Sequence, residues 1–184
     1  MLGFLKKILG SKSDKDIKKL YPLVDKINIE YDKLKALSDE ELRGKTIFFK
    51  NEIKNKLKDS QSRIENLKNE YKRNKGTLTE KEKILNEIDK IKDSEKEIIQ
   101  NILDDILPEA FAVIKETARR FSENKKLETI ATEYDKELSQ IKENVKIKGS
   151  KVIWSNKWEA AGIPIEWNMI HYDVQLIGGI VLHQ

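Results

Sequence analysis

The residues best suited to chemistry lie between His171 and Leu182. Gln175 falls in the first turn of a helix that Asp173 can cap, and its side-chain amide offers both a hydrogen-bond acceptor and a donor. That pair matches the N6 amino group and N7 of adenine and mismatches guanine, whose O6 is an acceptor. Such a match favours binding of the correct base over the wrong one by about 1 to 3 kcal/mol. An adenine contact at Gln175 is one interpretation of this pattern. The alternative is an ordinary polar residue whose amide is satisfied by the backbone.

Two adjacent glycines, Gly178 and Gly179, follow inside the same predicted helix. Each glycine in a helix interior costs about 1 kcal/mol relative to alanine. The pair therefore predicts either a close approach of another element to the helix backbone or a local break in the helix.

Other combinations of reactive residues predict no further chemistry. The only histidines, His171 and His183, are twelve residues apart without an HExxH pattern, and the chain has no cysteine, so no metal site is predicted. Arg43-Gly44-Lys45-Thr46 resembles the end of a phosphate-binding loop, but Asp39 stands where that motif needs its first glycine. Acidic residues at 39–41 and 104–105 lie at predicted helix starts, which explains them without catalysis.

Composition limits the class of protein. A chain of 184 residues forms about one domain, and 36 Lys and Arg against 32 Asp and Glu leave a net charge of only +4. Because the acids are interleaved with the bases, a dedicated nucleic-acid-binding protein is not predicted. The absence of cysteine is consistent with a reducing compartment. No apolar run approaches the roughly 20 residues that span a bilayer.

The first nine residues predict a short amphipathic helix with a basic side. Lys6 and Lys7 fall outside an apolar arc of about 160° that is formed by five residues: Leu2, Phe4, Leu5, Ile8 and Leu9. Such a short helix is marginal alone in water, so its apolar side is expected to contact an anionic membrane or a partner protein. The alternative is a frayed terminus or a helix docked on its own core.

Apolar residues spaced by three or four predict long amphipathic helices over most of the chain. Pro22 marks a kink or a helix start. Capping boxes at Ser38–Glu41 and Thr77–Glu80 each predict the start of a helix, and Gly76 is predicted to end a helix in the left-handed conformation. Heptad-like stripes on both sides of Gly76 predict an antiparallel helical hairpin. Pro108 is predicted to begin the most buried helix.

The remaining segments predict one more helix and a little β structure. An apolar stripe over 127–145 predicts the helix, and the β-prone runs 151–154 and 163–167 predict a small ribbon. Three tryptophans occur in this region: Trp154, Trp158 and Trp167. They are expected either to form a core for the ribbon or to serve as a stacking platform for bases or sugars. The predicted fold class is mainly α, with long helices, an antiparallel helical hairpin and a small β ribbon near the C-terminus.

Three segments in chain order carry a resemblance to a known family: Leu37–Thr46, Leu103–Val113 and His171–Leu182. They resemble the start of SecA, the family of ATP-driven preprotein translocase motors, and the basic amphipathic N-terminus fits as well. The resemblance implies the front part of a DEAD-like (P-loop NTPase) motor domain, which uses ATP with Mg²⁺. The chain is then expected to be an N-terminal fragment that ends before the Walker A loop.

The resemblance also implies roles for particular residues. The segment that matches Met169 to Gln175 is the Q motif of the family, so Gln175 is expected to contact adenine, with Tyr172 and Met169 as apolar support for the base. Ile170 stands where a basic residue is common in the family, which removes any contribution of that charge. Because these 184 residues contain no complete phosphate loop, the chain alone is expected not to hydrolyse ATP.

The implied partners are the SecYEG translocon, preproteins and acidic phospholipid, with a possible homodimer and no nucleic acid. The implied location is cytoplasmic, on the inner face of the cell membrane. The rival hypothesis is a self-contained, coiled-coil-like helical interaction protein with a membrane-binding N-terminus. The expected divisions are an amphipathic basic helix (1–13), N-terminal helices (14–54), a charged hairpin insertion (55–100), a buried helix (101–121), a helix and β-ribbon insertion (122–168) and the start of the first nucleotide-binding domain (169–184).

Overall fold

The computed structural model describes residues 12–183, and the chain divides into two compact units. One unit comprises the described residues up to Gly44 together with those from Pro108 onward, and the other is Lys45–Leu107. The elements of the described range are α1 (Lys12–Leu34), α2 (Asp39–Arg73), α3 (Leu78–Glu123), β1 (Lys126–Ile130), α4 (Glu133–Ile141), β2 (Val145–Lys148), β3 (Lys151–Ser155), β4 (Lys157–Ala160), β5 (Ile163–Glu166) and α5 (Asp173–His183). The predicted membrane-contact residues 2–9 lie outside it.

Both predicted capping boxes are confirmed. The backbone N–H of Ser38 donates to Glu41 Oε2 at 2.8 Å, and the N–H of Glu41 donates back to Ser38 Oγ at 3.3 Å. At the start of α3, Thr77 N and Glu80 Oε2 are 2.9 Å apart, and Glu80 N and Thr77 Oγ1 are 3.4 Å apart. Each pair satisfies backbone donors that the first helical turn would otherwise leave unpaired.

The predicted left-handed conformation of Gly76 is wrong, because the positive-φ glycines of the described chain are Gly149 and Gly162. Gly76 instead donates its N–H to Asn74 Oδ1 at 2.6 Å. A Cβ at position 76 would lie 1.8 Å from Glu80 Oε2, so a side chain there would displace the carboxylate that caps α3.

The unit Lys45–Leu107 is an antiparallel helical hairpin, as predicted. Its core is formed by four buried aliphatic side chains that the heptad-like stripes contained: Ile64, Leu67, Ile84 and Ile88. Two polar contacts join the helices with opposite chain direction: Arg63 Nη2 to Glu87 Oε1 at 2.7 Å, and Ser60 Oγ to Glu95 Oε1 at 2.5 Å.

In the other unit, α1 packs against α5. The predicted apolar face of α1 is confirmed in its C-terminal half, where Val24, Ile27 and Leu34 are buried. Pro22 lies inside α1. Pro108 lies inside α3, so the prediction that it begins a helix is wrong. Proline removes one backbone hydrogen bond and crowds the preceding turn, but the helix continues through position 108.

The β structure is more extensive than predicted. A three-stranded antiparallel sheet has the order β1-β3-β2, and β4 pairs with β5 as a separate ribbon. The predicted helix over 127–145 is wrong at both ends, because Leu127 and Val145 each pair with Trp154 of β3 and only α4 between them is helical. The runs 151–154 and 163–167 do not pair with each other, since β3 is the central strand of the sheet. The predicted fold class, mainly α with a helical hairpin and small antiparallel β structure, is confirmed.

Candidate adenine-binding site

Gln175 is the third residue of α5 and takes part in capping that helix. Its Oε1 accepts a hydrogen bond from the backbone N–H of Tyr172 at 2.8 Å. The backbone N–H of Leu176 donates to the carbonyl of Tyr172 at 3.1 Å, so Tyr172 occupies the N-cap position. Asp173, which was predicted to be the cap, is the first helical residue. The predicted position of Gln175 in the first turn is confirmed.

The hydrogen bond from Tyr172 N–H orients the carboxamide of Gln175 and leaves part of its hydrogen-bonding capacity unused. Only the oxygen can accept from a backbone N–H, which settles which end of the amide faces Tyr172. A carboxamide oxygen has two lone pairs, and Nε2 carries two hydrogens, so an acceptor and a donor remain for a ligand. Gln175 is exposed, and so is Tyr172, whose exposed fraction is 73%. Met169 is partly buried and lies in the extended stretch that precedes α5.

A polar network joins the first turn of α5 to α1 and α3. Lys115 Nζ donates to Asn28 Oδ1 at 2.7 Å, and Asn28 Nδ2 donates to Asp173 Oδ1 at 3.2 Å. Lys115 Nζ also lies 3.7 Å from Asp173 Oδ1. Sequence reasoning missed Asn28 and Lys115, because no local pattern links residues that are 87 or 145 positions apart.

Packing requires the absence of a side chain at one of the two adjacent glycines, Gly179. A Cβ at Gly179 would lie 2.7 Å from Cε1 of Phe111, so the ring of Phe111 sits directly on the backbone of α5. A Cβ at Gly178 would meet nothing within 4 Å. The predicted close approach is confirmed at Gly179, and α5 continues through both glycines without a break.

The tryptophans line a cleft of about 390 Å³ beside α3. Trp167 is held there by a hydrogen bond from Nε1 to the carbonyl of Ala118 at 3.1 Å. Its ring centroid lies 6.2 Å from that of His171, which shares the cleft. All three tryptophans are partly buried.

Arg43, the first residue of the segment that resembles the end of a phosphate-binding loop, has a structural role. Arg43 Nη2 lies 2.6 Å from Asp135 Oδ2, and Nη1 donates to Thr129 Oγ1 at 2.9 Å. Burial opposes the ionisation of Asp135, but the N–H of Thr132 and the guanidinium of Arg43 outweigh it and hold the pKa of Asp135 below its usual value. Arg43 thus fixes the turn between β1 and α4.

A second buried carboxylate, Glu116, lies in α3. Burial opposes its ionisation, but hydrogen bonds from Arg119 and Arg120 lower its pKa below the usual value. Arg120 also donates to the carbonyl of Leu37 at 2.6 Å and to Asp39 Oδ1 at 2.6 Å. The acids at 39–41 therefore serve the fold: Asp39 through Arg120, Glu41 through the capping box, and Glu40 as an acceptor for the N–H of Ile130.

Between residues 12 and 183, no three acidic or histidine side chains converge in a way that could hold a metal ion. Within the same part of the chain, none of the helices combines the length and the apolar character needed to cross a membrane.

The chain belongs to the SecA DEAD-like domain family, whose sequence model matches residues 5–184. Among curated relatives, the protein translocase subunit SecA of Flavobacterium psychrophilum is 47% identical over 182 residues, which cover 99% of this chain and 16% of that protein. The SecA subunits of Cytophaga hutchinsonii and Porphyromonas gingivalis are 46% and 44% identical over 184 residues, covering 100% and 98% of this chain. The chain spans about 16% of the length of these relatives. No solved structure matches it.

Proposed function

We propose that this chain is the N-terminal part of an ATP-driven protein-export motor and that it contributes the adenine contact of that motor. The family match and the similarity to protein translocase subunits support the motor. The observation that carries the adenine contact is the geometry of Gln175, an exposed carboxamide at the start of α5 whose oxygen is already oriented by Tyr172.

In this proposal each site residue has a defined role toward the base. Gln175 accepts from the N6 amino group of adenine through the second lone pair of Oε1 and donates to N7 through Nε2. Tyr172 and Met169 supply apolar surface for the base. Bound ATP, together with Mg²⁺, supplies the phosphoanhydride whose hydrolysis drives transport.

The phosphate contacts are proposed to lie outside these 184 residues, because the sequence contains no complete G-x-x-x-x-G-K-[ST] motif. An adenine contact without phosphate contacts gives little affinity and no electrostatic stabilisation of phosphoryl transfer. The chain alone is therefore proposed to be inactive. Tight, Mg²⁺-dependent binding of ATP to residues 1–184 in an isothermal titration would contradict this part of the proposal.

The similarity to translocase subunits supports a proposal for the channel and the preproteins as partners. The motor is proposed to work at the SecYEG channel on preproteins, in the cytoplasm at the inner face of the cell membrane, and a homodimer is proposed as its assembly. The apolar and basic residues between Leu2 and Leu9 are proposed to contact acidic phospholipid and the channel.

The coding sequence beyond Gln184 tests whether this chain is part of an ATP-driven motor. An in-frame G-x-x-x-x-G-K-[ST] motif within about twenty codons is expected, because the Walker A loop follows the Q motif closely in this family. A stop codon directly after Gln184 would contradict the proposal and favour a self-contained helical interaction protein.

A further inference from the structure

We propose that Lys115, Asn28 and Asp173 form a positioning network that fixes the direction of the Gln175 side chain. This inference rests on the proposed adenine contact and adds residues from two other helices to it. The three side chains act through Gln175 and are not assigned any contact with nucleotide.

The hydrogen bonds of the network can run in only one donor-to-acceptor direction, from Lys115 through Asn28 to Asp173. Lysine can only donate, and a carboxylate can only accept. Asn28 lies between them, with Oδ1 at 2.7 Å from Lys115 Nζ and Nδ2 at 3.2 Å from Asp173 Oδ1. A flipped amide would oppose donor to donor and acceptor to acceptor, so the orientation of Asn28 is fixed by its two neighbours.

The Lys115 end of the network is well anchored. Only 12% of its side chain is exposed, and its ammonium lies 5.1 Å from the ring centroid of Tyr31. Lys115 stands on α3 and Asn28 on α1, so two long helices hold one residue of α5.

The first turn of α5 depends on this anchor. Tyr172 and Val174 are 73% and 70% exposed, and burial within the helix begins only at Leu176. Helix ends fray when backbone groups lack partners and side chains are not packed. Asp173 is the residue of this turn that the network ties to α1 and α3.

Gln175 follows Asp173 by two positions in the same turn, and its oxygen accepts from Tyr172 N–H only while that turn is helical. Loss of the network is therefore expected to let the turn fray and to release the carboxamide from its fixed direction. Contacts to N6 and N7 of adenine would weaken, whereas contacts to the phosphates would not.

The test compares ATP with 7-deaza-ATP, which lacks the N7 acceptor, in the complete gene product that contains this chain. Equilibrium affinities of the wild type are measured beside those of Lys115→Met, which removes the anchor, and Asp173→Ala, which removes an exposed side chain and leaves the core intact. Lys151→Met is the matched control, since it breaks an exposed pair with Glu128 in the three-stranded sheet. Hydrogen exchange of the peptide covering 172–177 is followed in the same proteins.

We expect the wild type and Lys151→Met to prefer ATP by about fivefold or more. Lys115→Met and Asp173→Ala are expected to bring that preference close to one and to speed exchange over 172–177 by about threefold or more. A purely structural role would lower the affinity for both nucleotides equally, so an unchanged preference in both variants would overturn the positioning role. Absence of any preference in the wild type would instead overturn the adenine contact itself.

Discussion

The backbone N–H of Tyr172 donates to Oε1 of Gln175 at 2.8 Å, so the residue proposed to read adenine also caps its own helix. This dual use allows the two roles to be separated. Glutamate at the third helical position makes the same reach-back contact, but it has no N–H to donate to a ligand.

Gln175→Glu is expected to preserve stability. The carboxylate keeps the bond to Tyr172 N–H and lies near the positive end of the helix dipole, so the free energy of unfolding stays within about 0.5 kcal/mol of the wild type. Gln175→Ala loses the cap and is expected to cost about 0.5 to 1 kcal/mol. Urea denaturation of the 184-residue chain measures both. Equal losses in the two variants would show that the cap does not form in solution.

Gly179→Ala is expected to destabilise the chain, because its Cβ would lie 2.7 Å from the ring of Phe111. Crowding of this kind costs about 1 to 3 kcal/mol and outweighs the helix propensity gained from alanine. Gly178→Ala is the matched control, since that Cβ meets nothing within 4 Å, and it is expected to stabilise by up to about 1 kcal/mol. Chemical denaturation of both variants measures these changes in the free energy of unfolding. An increase in stability for Gly179→Ala would contradict the predicted clash with Phe111.

The ion pair of Arg43 and Asp135 predicts a dependence of stability on pH. The pKa of Asp135 is lowered in the folded chain, so its contribution is fully present above the unfolded carboxyl value of about 3.9 and is lost as pH falls through the folded value. Asp135→Asn is expected to cost about 2 kcal/mol at pH 7 and to flatten the decline in unfolding free energy below pH 4. Denaturation series at pH 7 and pH 3 measure this, and parallel pH curves for both proteins would contradict it.

The proposed lipid contact of the N-terminus predicts that charge reversal weakens membrane binding. Lys6→Glu/Lys7→Glu is expected to lower binding to vesicles with anionic lipid about tenfold or more, because each basic residue near such a surface contributes about 1 kcal/mol. Lys56→Glu/Lys58→Glu makes the same change in net charge on the exposed side of the hairpin and serves as control. Equal sedimentation of the wild type and the Lys6/Lys7 variant would remove the electrostatic contact.

The features that sequence predicted well are local ones. The capping boxes at Ser38 and Thr77 depend on residues three positions apart, and the hairpin depends on a stripe repeated along each helix. The glycine pair indicated a close approach, although sequence could not identify Phe111 as the neighbour or Gly179 as the member that needs it.

The errors arose where distant partners decide the structure. Leu127 and Val145 fit a helical stripe, but both pair with Trp154, and strand pairing overrode the local pattern. Arg43 and Lys115 were missed for the same reason, because their partners Asp135 and Asn28 are 92 and 87 positions away. For Gln175 the residue type and turn position were predictable, whereas its supporting network was not.

The most direct test of the adenine contact is the affinity of the complete gene product for ATP and 7-deaza-ATP, measured by competition for wild type and Gln175→Glu. The wild type is predicted to bind ATP about fivefold or more tightly than the analogue, because Nε2 donates to N7. Gln175→Glu is predicted to lose that preference, since a carboxylate repels N7. Equal affinities of the wild type for the two nucleotides, or a preference that survives in Gln175→Glu, would contradict the account.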